Sequence, residues 1–260
     1  MIVEGRITDL IFIVSITIFV VYALNLSKRW TPKFRTIPGL NAIEEAVGRA
    51  VELGRPVHFT TGQGGYSISQ PDTGTQIMAG LSVFNYVAQL CAKMGVKLIV
   101  SVGQTETIPI LEQYIRDAYN AENLPVPDMT DTLRFHGTTQ YSFITQVQSI
   151  FRREHAAANI VVGPLSGESG QLLFSGVEAG AIQVTGTGRT AHIPWLAIIS
   201  TYSIMGEEIY AAGALLSDDK ETLNTIWVQD IGKLISIIVL LLGVIFTTLG
   251  SDLITLLLEA

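Results

Sequence analysis

Val96-Lys97-Leu98-Ile99-Val100-Ser101-Val102, followed by Gly103-Gln104-Thr105-Glu106, is the stretch that decides the fold. The run is almost continuously apolar, with its one cation at the entrance, and a strand of that kind is covered on both faces, as in a parallel sheet. Glycine and small polar residues end it, and a helix is expected over 108–122. The same pattern recurs along the chain. Strand 57–61 ends in Gly62-Gln63-Gly64-Gly65, 133–136 in Gly137-Thr138-Thr139, 160–162 in the loop 163–170, and 181–185 in Gly186-Thr187-Gly188-Arg189. Helices are expected at 76–94, 140–157, 171–179 and 205–216. This alternation predicts a doubly wound α/β domain with a mostly parallel, Rossmann-like sheet over 39–217. Residues 195–200 fit a last strand or a buried helix equally well, because periodicity does not separate the two.

Both flanks of this domain are greasy. Between Leu10 and Leu26 the polar side chains are Ser15, Thr17, Tyr22 and Asn25, none of them charged. Residues 8–26 are long enough to cross the ~30 Å hydrocarbon core as a helix. Lys28, Arg29, Lys33 and Arg35 follow against Arg6 in front, which keeps this end cytoplasmic. Glu4, Arg6 and Asp9 are not the basic front end of a signal peptide, so an uncleaved anchor is expected. Asp218 and Glu221 form a capping box. No breaker then occurs before Gly250, so one long helix is expected, with a second span at 234–249. Lys233 on one side and Asp252 and Glu259 on the other put both termini outside an inner membrane. Trp30 and Trp227 stand where aromatic residues anchor at the interface. The expected parts are an N-terminal anchor (1–27), a linker (28–38), a cytosolic α/β domain (39–217) and a long helix with the second span and a tail (218–260).

Composition narrows the function. The chain has 260 residues, 48% of them hydrophobic, and a mean hydropathy of +0.41. That lies between an ordinary soluble domain and a polytopic transporter. Sixteen basic against 23 acidic residues give a net charge of −7, and no basic cluster lies outside the membrane flank, so nucleic acid is not an expected partner. No ionisable side chain sits mid-span, which argues against ion translocation. Cys91 is the only cysteine; it allows no internal disulfide and reads as a buried, inert thiol on a helix.

In an open parallel sheet the five glycine-bearing loops gather at the carboxyl edge, where ligands bind. The candidate contacts there are Gly62, Gln63, Gly64, Gly103, Gln104, Thr105, Glu106, Ser166, Gly186 and Arg189. Turn chemistry alone also explains glycine in each loop. Neither G-x-x-x-x-G-K-[ST] nor a G-x-G-x-x-G on the first strand occurs. Glu106 and Glu168 near helix starts oppose a polyphosphate, and Arg189 is the one cation in these loops. An uncharged or cationic small molecule suits them better, and no cofactor is expected. Gly167-Glu168-Ser169-Gly170 departs from a nucleophile elbow at Gln171 and stands several residues past its strand. His58, His136 and His192 lack metal-ligand spacing and read as hydrogen-bonded core residues; no metal is expected. His155 reads as a solvated helix end. No nucleophile, base and orienter can be named together, which leans away from catalysis.

Ile37-Pro38-Gly39-Leu40-Asn41-Ala42-Ile43-Glu44-Glu45-Ala46-Val47-Gly48-Arg49-Ala50, continuing through Gly54-Arg55-Pro56-Val57-His58-Phe59, resembles the opening of an uncharacterised family of prokaryotic membrane proteins that carry such a segment after a first span. The resemblance implies a domain start near Pro38 and an inner-membrane setting, and it assigns no reaction. Asn41 with Glu44 reads as the capping box of the first domain helix. The expected function is a membrane-anchored, non-catalytic α/β protein, a self-associating scaffold or a subunit of a membrane assembly. The alternative is a small-ligand sensor or enzyme using the strand-end crevice.

Overall fold

The computed structural model describes residues 7–27, 35–167, 169–217 and 220–249. They fall into two units: Arg35–Ser217, and Met1–Phe34 together with Asp218–Ala260. Helix α1 (Ile7–Ser27) belongs to the second of these.

The first unit begins with α2 (Pro38–Leu53). Its start is three residues earlier than the Asn41 cap expected from sequence. Ile37 is extended (φ −93°) and Pro38 opens the helix, because a ring-locked φ and a missing N–H suit the first helical position. Gly54, at φ +62°, closes it in the left-handed conformation that glycine adopts without strain. There follow β1 (Val57–Thr60), α3 (Gly74–Met94), β2 (Leu98–Val102), α4 (Ile108–Ala121), the short α5 (Met129–Thr132), β3 (Leu133–Phe135), α6 (Gln140–Glu154), β4 (Ala158–Val162), α7 (Ser169–Glu178), β5 (Ile182–Thr187), α8 (Ile193–Ile199), β6 (Tyr202–Met205) and α9 (Glu208–Ser217). Residues 193–199 are thus helix, and the last strand, β6, lies just beyond them, unforeseen. Its four residues include only one fully buried side chain, Ile204, too little for a periodic signal.

All six strands are parallel, in the order β3-β2-β1-β4-β5-β6. This is the doubly wound order in which the chain changes direction between β1 and β4, the usual place for a ligand. The two faces of the sheet differ. On one, Val100, Phe59, Ile160 and Val184 lie side by side under α2, α3, α4 and α9, in a wholly apolar core. On the other, His58, Ser101, Asn159 and Gln183 project, and α6, α7 and α8 cover them with Phe143, Phe151, Leu172 and Leu196.

Helix α10 (Lys220–Thr248) continues without a break for 29 residues and contacts α1. Among the described residues two helices are long and apolar enough to cross a membrane, Gly74–Met94 and Thr222–Thr248. The first is α3, more than half buried inside the α/β unit, where it serves as a core helix. Residues 10–22 of α1 form a shorter apolar stretch. Trp30, the cap at Asp218 and the tail beyond 249 lie outside the described residues.

Gly80 of α3 fixes how closely that helix approaches the sheet. A Cβ there would sit 2.2 Å from the Val162 carbonyl oxygen, whereas one at Gly48 of α2 meets nothing within 4 Å. We expect Gly80→Ala to lower stability by about 1–3 kcal/mol and Gly48→Ala to raise it by about 0.5–1 kcal/mol, both read by chemical denaturation of the full chain in detergent.

Candidate functional site

A row of polar side chains crosses the sheet on its second face. Gln183 Nε2 donates to the carbonyl of Ile199 (3.4 Å), an atom that can only accept. This turns Gln183 Oε1 toward Asn159 Nδ2 (2.9 Å). Asn159 Oδ1 must then accept from His58 Nδ1 (2.9 Å). His58 Nε2, left as an acceptor, takes the Ser101 hydroxyl proton (2.7 Å), and Ser101 Oγ accepts from His136 Nε2 (3.1 Å). Every donor points the same way, from His136 at the end of β3 to Ile199, through five strands. A Cβ on Gly176 of α7 would lie 2.9 Å from Gln183 Oε1 and 3.0 Å from Asn159 Nδ2, so the helix rests directly on this bond.

The row needs His58 neutral, because its Nε2 must accept from Ser101. Burial, against the support of Asn159, lowers the His58 pKa from 6.5 to about 4. Burial and the nearby Arg134 guanidinium lower that of His136 to about 4 as well. Ser101, His58 and Asn159 stand in the order of nucleophile, base and orienter. All three are fully buried, with the Phe151 ring set edge-on 5.1 Å from His58, and no substrate reaches a serine so enclosed. His58 is a hydrogen-bonded core histidine, and His136, half-buried one residue past β3, is hydrogen-bonded as well. Their partners Asn159, Ser101 and Gln183 escaped sequence reasoning. The signal was present: His58, Ser101, Asn159 and Gln183 each interrupt a strand rich in buried apolar residues.

At the strand ends the candidate residues divide. Gln63, Gln104 and Ser166 come together and are buried. Gln104 Nε2 donates to the Gln63 carbonyl (2.8 Å), and Gln104 Oε1 accepts from Thr61 (3.2 Å). Gln63 Oε1 accepts both the backbone N–H and the hydroxyl of Ser166 (2.6 and 2.7 Å). Glycine permits these loops to touch. A Cβ on Gly62 would lie 2.6 Å from the Pro164 carbonyl oxygen, one on Gly103 2.6 Å from Gly64 N, and one on Gly64 3.1 Å from the Gly137 carbonyl oxygen. Gly186 lies inside β5, which runs on to Thr187, and it packs against Ile204 of β6. Thr105 is exposed, while Glu106 accepts the N–H of Ile68 (2.5 Å). Arg189 Nη1 donates to Tyr66 Oη (2.6 Å), and its guanidinium sits 5.3 Å from the centre of that ring. Two buried polar atoms at this turn have no hydrogen-bond partner, Gln63 Nε2 and Ser169 Oγ.

The opposite, amino-terminal edge carries a closed ring of alternating charges. Lys97 pairs with Asp131 (3.0 Å) and Glu154 (3.1 Å), and Arg134 pairs with Asp131 (2.8 Å) and with Glu154. Lys97 and Arg134 hold the Asp131 carboxyl below its ordinary range. For Glu154 burial works the other way, and Arg134 and Lys97 outweigh it. A groove of about 410 Å³ runs beside the ring, lined by Lys97, Tyr119 and Asp131 among others. Among the described residues no group of three or more histidine, cysteine or acidic side chains could hold a metal ion. Cys91 is buried, and burial raises its thiol pKa.

These features define an α/β protein with an all-parallel sheet, a neutral polar row inside it and close-packed loops at its carboxyl edge. The family described as a domain of unknown function (DUF6754) matches residues 1–258, and the chain belongs to that family. No curated protein and no solved structure matches it.

The two histidines set a pH window. Their folded-state pKa values of about 4 lie below the unfolded value of 6.5. Between these limits the unfolded chain binds protons that the folded one refuses, so their stabilising contribution is complete above 6.5 and is lost as pH falls toward 4. We expect the thermal midpoint to fall with pH across this window. His58→Leu should lower the midpoint at neutral pH and roughly halve the slope below it, as followed by tryptophan fluorescence.

Proposed function

We propose that the chain is a membrane-anchored, non-catalytic α/β protein that acts by self-association, with α1 and α10 as its spans and the α/β unit on the cytoplasmic side. The observation that carries this reading is an apolar surface on two adjoining helices. Trp195 and Ile198 of α8 are 46% and 79% exposed, and Phe174 and Val177 of α7 stand out beside them. Trp195 lies against Gly170, the second residue of α7 and one turn before Phe174. A water-facing domain seldom leaves such a patch without a partner. A second copy is the occupant: copies anchored in one membrane share depth and orientation, and a two-fold axis along the membrane normal brings identical patches together. The anchor side of the reading rests on the uncharged run 10–26, the basic residues at 28–35 and the exposed apolar side chains along α1 and α10.

A second reading, a small-molecule site at the strand ends, is favoured by the unpartnered Gln63 amide nitrogen.

Native mass spectrometry of the detergent-extracted chain should show a dimer. Ile198→Lys with Trp195→Glu should weaken it by about a hundredfold while leaving the thermal midpoint within a few degrees. A wild-type chain that stays monomeric at every concentration would sink self-association. Digestion of the α/β unit by protease added to sealed, right-side-out cells would sink its cytoplasmic placement.

A further inference from the structure

We propose that the groove at the amino-terminal edge of the sheet, between β2 and the loop leading into α5, binds a free α-amino acid with an apolar side chain. The site lies at the opposite edge from the strand-end crevice and does not depend on it. A gap in the hydrogen-bond ladder carries the proposal. β1 pairs with β2 from Leu98 onward, whereas β3 pairs with β2 only from Val100, opposite Leu133. Val57 N donates to the Lys97 carbonyl (2.9 Å) and His136 N to the Val102 carbonyl (3.1 Å). In a parallel ladder the alternation between these two bonds turns the N–H and C=O of Leu98 toward the β3 side. The donor that would meet the Leu98 carbonyl is Thr132 N, but Thr132 closes α5 and gives to the Asp128 carbonyl instead (3.0 Å). Leu98 thus presents one donor and one acceptor at the point where β3 stops. It is 2% exposed and lines a groove of about 410 Å³, within the range of about 300–1,000 Å³ that small-ligand sites occupy.

The charges in the lining choose the ligand. Lys97 Nζ pairs with Asp131 and Glu154 (3.0 and 3.1 Å), which leaves the third N–H of its ammonium to give. Asp128 Oδ1 caps α5, accepting from Thr130 N and Oγ1 (2.9 and 2.8 Å). Among the described residues Asp128 forms no ion pair, so its carboxylate is the one charge in the lining without a counter-charge. A ligand with an ammonium alone would leave the Leu98 N–H unmet, and one with a carboxylate alone would leave the Leu98 carbonyl unmet. An α-amino acid carries both groups on one carbon. Its ammonium donates to the Leu98 carbonyl and to Asp128, and its carboxylate accepts from the Leu98 N–H and from Lys97. The carbonyl end of α3, closed by Gly95 in the same lining, adds to the preference for an ammonium. Val96, Tyr119 and Pro127 supply an apolar part of the wall for the side chain.

The full chain in detergent is melted with leucine, 3-methylbutylamine, 4-methylpentanoate or N-acetyl-leucinamide at matched ionic strength. The last three keep the side chain and lack the carboxylate, the ammonium or both charges. Leucine at about 20 mM is expected to raise the thermal midpoint by about 2 °C or more, and each of the others by less than half as much. Asp128→Asn removes the charge and keeps the cap on α5, since asparagine caps a helix as well as aspartate does. It should leave the ligand-free midpoint in place and weaken leucine binding about tenfold. Equilibrium dialysis of labelled leucine reads that affinity independently of how the variant melts. An amine or an acid that stabilises as much as leucine overturns the zwitterion. An equal response to N-acetyl-leucinamide overturns it too, in favour of an extended peptide on the open strand edge. No response to leucine, or an affinity unchanged in Asp128→Asn, overturns the site.

Discussion

One row of hydrogen bonds, uncharged and running in a single direction, sets the terms for the rest of the α/β unit. Each member gives to the next and takes from the one before, from His136 through Ser101, His58, Asn159 and Gln183 to a backbone oxygen. An apolar face asks only to be covered, and many packings would cover it. A buried polar row is satisfied only where the strands that carry its members are adjacent and in register. The helices above inherit the constraint. Gly176 lets α7 lie on the Asn159–Gln183 bond, and Phe151 and Phe143 of α6 set their rings edge-on against His58 and His136.

The architecture is legible in the apolar runs because strands covered on both faces have few other readings. Val96 to Val102 alone implies a parallel sheet, and the glycine that follows each run marks the turn into a helix. What escapes is whatever depends on neighbours. The sequence Tyr202 to Met205 has no periodicity of its own; it is a strand because β5 presents an open edge to it. Asn41 with Glu44 has the composition of a cap, yet Pro38 starts the helix a turn earlier. In the same way, His58 and His136 can be picked out in the sequence as hydrogen-bonded histidines, but not their shared bond to Ser101, which requires β1 and β2 to be adjacent.

The carboxyl edge shows the limit of motif reasoning more sharply. A run of Gly, Gln and Thr after successive strands has two physical uses, room for a ligand's approach or room for loops to approach one another. The coordinates show the second at Gly62, Gly64 and Gly103, where backbone meets backbone at distances a side chain would forbid. Gln104 is likewise consumed, bridging Thr61 and the Gln63 carbonyl. Glycine there is a packing device.

Close packing also explains why the leftover donors sit where they do. With β1 and β4 adjacent and their loops pressed together, Gln63 can satisfy its side-chain oxygen on Ser166 only by burying its nitrogen in the same turn. Packing this close leaves a buried donor, Gln63 Nε2, without an acceptor. The apolar surface of Trp195 and Ile198 starts at the first turn of α8, with the Trp195 ring against Gly170. The contact ties the first turn of α7 to that surface.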